Sequence, residues 1–237
     1  MQIAILLYPG MTTLDAIGPY EVFRFIPGSQ LRFVSRKLGP VITDSGVLVL
    51  GATHSFEETP APDIVLVPGS EANTVTAMAD ACLLAWLRKA HEHSRCTLSV
   101  CSGALILGAA GLLDGHPATT HWIALDRLAA FGATPQREAR IVRSGKIWTA
   151  AGVSAGIDLA LQVVGELCGR ERAETIQLMI EYDPRPPFDA GHPTKASPAV
   201  LAAARREMLQ RARNPRDVLS VPAIAWRRLL QKLRRRS

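Results

Sequence analysis

Short apolar runs that end in a turn and give way to helical spacing set the strongest limit on what this chain can fold into. Residues 2–8 form one such run, stopped by Pro9-Gly10 and followed by a helical pattern over 13–26. Residues 63–67 form another, closed by Pro68-Gly69, with the amphipathic stretch 80–93 after it. A third, 96–100, passes directly into a helix expected over 102–113. Unbroken apolar runs of this length mark strands buried on both faces, and the helices between them supply the cover. The alternation predicts an α/β fold: a flavodoxin-like, doubly wound, mostly parallel sheet with helices on both faces.

The other segments fit the same plan. A strand is expected at 31–35, and helices near 122–131, 154–168 and 172–182. Hairpins are expected around Asp44-Ser45-Gly46 and Ser144-Gly145, and a turn at Asp114-Gly115-His116-Pro117. With 237 residues, 48% of them apolar, the chain can bury a sizeable core. The α/β domain is expected over 1–192. The Pro-rich stretch 183–198 then leads into a C-terminal extension, 193–237.

Charge separates these two parts. The net +6 is uneven: residues 201–237 hold 11 Lys+Arg against 2 Asp+Glu, while residues 1–200 hold 16 against 19. The basicity belongs to the extension, where helical spacing over 197–213 and 222–233 predicts two amphipathic helices packed on the body or on a dimer mate. Contact of this tail with nucleic acid or an anionic membrane is the alternative use of its arginines.

The longest apolar stretch, 104–113, is half of what a membrane span needs. The first run lacks the basic flank and length of a secretory signal, so a cytoplasmic protein is expected. Its four cysteines show no CxxC and read as reduced thiols. No GxGxxG or P-loop indicates a nucleotide, and the scattered histidines indicate no metal, so no cofactor is expected.

In open α/β sheets the reactive groups gather at the carboxyl ends of strands. Ser99-Val100-Cys101-Ser102-Gly103 places Cys101 at such a junction in a small-x-nucleophile-x-small context. A sharp turn there holds the nucleophile in a strained conformation. The dipole of the following helix is expected to lower the Cys101 pKa. Asp15 sits where the first loop becomes a helix. It reads either as an N-cap or first-turn acid, or as the proton carrier for a cysteine addition, because the loop after strand one is expected beside the nucleophile strand. Pro68-Gly69-Ser70 offers backbone N–H groups, and Gly69 permits close approach of a ligand. His121, in Thr119-Thr120-His121-Trp122, is open to a catalytic or a structural reading.

These residues resemble a known group. Leu14-Asp15-x-x-Gly18-Pro19-x-Glu21-Val22-Phe23, Val67-Pro68-Gly69 and Val100-Cys101-Ser102-Gly103 are similar to motifs of the DJ-1/PfpI superfamily, whose fold is class I glutamine amidotransferase-like. Ala109-Ala110-Gly111-Leu112-Leu113-Asp114-Gly115 and Ala118-Thr119-Thr120-His121-Trp122 resemble its isocyanide hydratases and the sensor half of AraC-type regulators. The 37 residues after position 200 are too few for the regulators' DNA-binding domain, and 181–191 resembles the wrapping segment of the hydratases. The resemblance implies Cys101 as nucleophile, Asp15 as general acid/base and Ser102, where these hydratases carry threonine, as a pocket hydroxyl. It gives Gly69 and Ser70 as backbone donors for the developing charge, and His121 is expected beside them as a binding residue. It also implies a homodimer, a small-molecule substrate and a thioimidate on Cys101 that water releases as a formamide. Two alternatives stand beside it: an enzyme acting on glyoxal-like carbonyls, and a thiol sensor oxidised at Cys101.

Overall fold

A computed structural model describes residues 1–212 together with Pro222 and Ile224. Its strands are β1 Gln2–Leu6, β2 Gln30–Ser35, β3 Gly39–Ile42, β4 Val49–Ala52, β5 His54–Ser55, β6 Ile64–Val67, β7 Cys96–Ser99, β8 Pro117–Ala118, β9 Thr134–Pro135, β10 Ile141–Ser144 and β11 Ile147–Ala150. The α-helices are α1 Thr13–Phe23, α2 Thr74–Ala79, α3 Ala81–His93, α4 Gly103–Ala109, α5 Ala155–Cys168, α6 Arg170–Met179 and α7 Pro198–Arg211.

Among the described residues, seven strands form one sheet in the order β10-β11-β7-β6-β1-β2-β5. Every neighbouring pair is parallel except β10–β11. Strands β1, β6 and β7 are apolar because both of their faces are covered: Ile3, Ala4, Ile5, Ile64, Leu66 and Leu98 are fully buried. Helices α1, α5 and α6 pack together, while α2 and α3 pack with α4. Chain direction across the sheet reverses at β1, which pairs with β2 on one side and β6 on the other. The carboxyl ends of strands at such a reversal form the crevice where α/β sheets bind ligands. The doubly wound sheet is the expected one.

Several boundaries differ. Helix α4 stops at Ala109 rather than at 113, because Gly111 turns the chain at φ 84°. The stretch Trp122–Phe131 is a 3-10 helix, ended by Gly132 at φ 77°. Strand β1 ends at Leu6 and α1 at Phe23, each short of its expected limit, and α6 begins at Arg170. The two expected hairpins are present as β3–β4 and β10–β11. Of the two tail helices, α7 is present with Ser197 capping it through the Val200 N–H. It has no buried residue, so it lies on the body rather than within it. The second, over 222–233, falls outside the described residues apart from Pro222 and Ile224.

Candidate functional site

Cys101 is the middle of the three residues that join β7 to α4, and its backbone sits at φ 57°. A non-glycine residue pays in strain for that left-handed conformation, which persists only where the surroundings fix it. They do. The Cys101 N–H donates to Ala151 O at 3.0 Å, and Thr120 Oγ1 donates to Cys101 O at 2.6 Å. Gly103 lets α4 close onto the end of β6: a Cβ there would lie 2.2 Å from Val67 O. The small residue two positions after the cysteine is thus a packing requirement.

Asp15 reaches Cys101 by a different route from the expected one. The loop after β1 does not adjoin β7, because β6 lies between them. The gap is bridged at Gly69, whose missing side chain leaves both neighbours in contact with its backbone. A Cβ on Gly69 would stand 2.5 Å from Ser102 N and 3.0 Å from Asp15 Oδ2. The Gly69 N–H donates to Asp15 Oδ2 at 2.8 Å. Asp15 is the acid in the first turn of α1, and the N-cap position belongs to Thr12. It is fully buried, and its Oδ1 has no hydrogen bond among the described residues.

Burial without charge compensation sets the electrostatics. It pushes the Asp15 carboxyl up to about 7, with Asp44 adding to the effect and the Gly69 N–H opposing it. The Cys101 thiol lies close enough to Asp15 for each to shift the other. It is held well above its ordinary value, first by burial and then by the Asp15 charge. The dipole of α4, expected to lower it, acts in the opposite direction. The N–H groups of Ser102 and Val153 do favour thiolate, but desolvation outweighs them. Tyr8 joins the same cluster: its hydroxyl donates to Pro68 O at 3.1 Å, and burial with the Asp15 charge raises it.

Ser102 and Ser70 form a second, neutral network. Ser102 Oγ accepts from the Ser70 N–H at 2.9 Å and lies 2.7 Å from Thr74 Oγ1, which is within 3.0 Å of Ser70 O. Ser70 Oγ in turn donates to Gly10 O and accepts from the Asn73 N–H. The N–H groups of Gly69 and Ser70, expected to await a developing charge, are therefore engaged by Asp15 and Ser102. The amides facing the sulfur are those of Ser102 and Val153. His121 precedes the 3-10 helix with its ring against Gly152 and tilted onto Trp122. Burial lowers it to about 4, so at neutral pH it is an uncharged ring. Tyr8 and Thr74 carry no local motif that marks them, and Thr120 lies in the Ala118–Trp122 motif without any sign of its contact with the Cys101 carbonyl; only the fold brings these three here.

A cavity of about 740 Å³ opens above these groups. Cys101, Ser102, Ser70 and Thr74 line it, whereas Asp15 lies behind Gly69 and does not. Leu105 and Phe131 supply apolar wall, and Met208 and Leu209 of α7 line it as well. Among the described residues no cluster of three or more His, Cys, Asp or Glu could hold a metal ion. The arrangement can present a thiol to a small molecule, with a protonatable carboxyl held against that thiol from behind.

The chain is similar to known proteins. The sequence profile of the DJ-1/PfpI family matches residues 1–166. The chain is 43% identical to the isonitrile hydratase of Pseudomonas putida over 206 residues, 87% of this chain and 89% of that one. It is 29% identical to the HTH-type transcriptional regulator CdhR of Pseudomonas aeruginosa over 71% of this chain, but spans about half (51%) of that regulator. The crystal structure of a THiJ/PfpI family protein from Pseudomonas syringae superposes with a TM-score of 0.85 at 42% identity, covering 92% of this chain and 90% of that one.

Proposed function

This chain belongs to the DJ-1/PfpI family, and we propose that within it the protein is a cysteine-dependent hydratase that converts isocyanides to N-substituted formamides. The observation that carries the reading is the pairing of the Cys101 thiol with a buried Asp15 carboxyl that titrates near neutrality. The likeness to the Pseudomonas putida isonitrile hydratase, over nearly nine-tenths of both chains, points to the same chemistry.

The steps follow from that pair. Asp15 takes the Cys101 proton and returns it to the isocyanide carbon as the sulfur bonds to that carbon. A C–S and a C–H bond form, and the product is a thioimidate. Water then adds to the same carbon, giving one proton to Asp15, which passes it to nitrogen. The second water proton returns to sulfur as the C–S bond breaks. The sum is isocyanide plus water giving formamide, with the thiol and carboxylate restored. The Ser102 and Val153 N–H groups stabilise sulfur while it carries charge. The Ser102 hydroxyl holds the β6 loop in place, and the neutral His121 ring closes one side of the cavity. Every step uses the chain's own groups and water.

A resting thiolate is what the sensor alternative needs, and burial beside Asp15 opposes one. The reading extends to the whole chain: an α/β domain over 1–192, an extension over 193–237, and a cytoplasmic homodimer. The β3–β4 hairpin fits a dimer by exposing Ile42, Val47 and Val49, with Leu38 exposed just before it. The test is formamide production from a simple aryl isocyanide, abolished in Cys101→Ala and reduced in Asp15→Asn. Wild-type protein no faster than Cys101→Ala would overturn the proposal.

A further inference from the structure

The charged residues lining the cavity are Asp44, Glu71, Arg127 and Arg211. Three of them are answered within the protein. Asp44 Oδ2 accepts from Thr12 Oγ1 at 2.6 Å, and Glu71 lies 3.6 Å from Arg211. Arg127 has no ion-pair partner among the described residues. It shares the cavity-lining face of the 3-10 helix with Ala124 and Phe131.

Its place along that helix fixes a length. Thr120, just before the helix, touches the Cys101 carbonyl. Arg127 comes five residues after Trp122, which is about 10 Å along the axis at ~2.0 Å per residue. The cavity is therefore lined by a reactive sulfur, by apolar wall from Leu105 and Phe131, and by a guanidinium carried about 10 Å along the helix from its Trp122 start. A guanidinium stays charged at any working pH, and its planar fork matches a carboxylate.

We infer that the cavity takes substrates that carry a carboxylate at the end remote from the reacting carbon, with Arg127 receiving it and an aryl or short aliphatic body spanning the gap. The inference deepens the hydratase reading of the same site and rests on it only for the identity of the reacting group.

Matched thiol reagents test it. N-phenylmaleimide and N-(4-carboxyphenyl)maleimide differ only in a carboxylate at the far end of the ring. Cys82 and Cys168 are exposed, so both are replaced by serine and labelling of Cys101 is followed by peptide mass spectrometry. The ratio of the charged to the neutral reagent's rate is expected to fall about fivefold in Arg127→Gln, the scale of one partly exposed ion pair. It should also shrink with added salt in the wild type. It should hold in Arg137→Gln, whose guanidinium pairs with Asp126. A ratio indifferent to Arg127→Gln overturns the inference. Turnover of 4-isocyanobenzoate and its methyl ester separates the two readings. Formamide from both, in a ratio indifferent to Arg127, rejects the carboxylate site and keeps the hydratase. An Arg127-dependent labelling ratio with no formamide from either keeps the site and rejects the hydratase.

Discussion

A methyl group on Gly69 would stand 2.5 Å from the Ser102 amide nitrogen, and the same methyl would crowd Asp15 Oδ2 at 3.0 Å. The first contact is with backbone, so no rotamer change can relieve it. Gly69→Ala must therefore push the β6 loop away from α4 and lengthen the 2.8 Å bond from Gly69 N to Asp15. Overpacking of this kind costs about 1–3 kcal/mol. We expect a lower Tm and at least a tenfold loss of kcat/KM, read by thermal unfolding and steady-state kinetics.

Asp15 and Cys101 titrate as a pair, so the pH profile belongs to both. The first proton leaves near pH 7, mainly from Asp15, and the second leaves well above the ordinary cysteine range. The singly protonated pair carries the mechanism. Activity should thus rise as pH passes through about 7 and fall only at strongly alkaline pH. In Asp15→Asn the limb near 7 should vanish. Alkylation of Cys101 should begin at lower pH in that variant, because one of the two main causes of the raised thiol is gone.

The same buried carboxyl weakens the fold, with a sign that can be checked. Its folded value of about 7 lies above the ordinary 3.8. Below pH 4 the group is neutral in both states and the folded protein loses nothing. Between about 4 and 7 the unfolded chain ionises while the folded one does not, which costs about 1.4 kcal/mol per pH unit. Above 7 the slope ends. The stability advantage of Asp15→Asn over wild type should grow by about 4 kcal/mol across that window and then level off. Urea unfolding at pH 4, 7 and 8 measures it.

His121 is uncharged at neutral pH because burial lowers it to about 4, and it touches Gly152 and Trp122. His121→Phe should therefore raise KM by altering the cavity wall while leaving the limb near pH 7 in place. Loss of that limb would make His121 the titrating base instead of Asp15.

What could be read in the sequence was local. The cysteine elbow is written within five residues, Ser99 to Gly103, and Gly103 has the packing role that the pattern demands. The mostly parallel sheet followed from apolar runs alternating with helices. Contacts made across the sheet were not legible: Gly69 bridging Asp15 to Ser102, Tyr8 donating to Pro68 O, and Thr120 holding the Cys101 carbonyl. The direction of the thiol's shift failed for the same reason. A dipole can be inferred from one helix, whereas desolvation depends on every element packed around the sulfur. Strand β5 and helix α2 were too short for periodicity to mark.

Strain at Cys101 gives the last prediction. Its φ of 57° places Cβ against the backbone, at a cost of roughly 1–2 kcal/mol for any L side chain. Glycine escapes that cost but loses more entropy on folding, which removes part of the gain. Comparing Cys101→Gly with Cys101→Ala cancels the lost thiol packing, since neither variant keeps sulfur. Cys101→Gly should be the more stable of the two by about 0.5–1 kcal/mol, and both should be inactive. Equal stability would mean that α4 relaxes once the sulfur is gone. The elbow would then be held by the thiol's own contacts rather than by the Ala151 and Thr120 hydrogen bonds on its backbone.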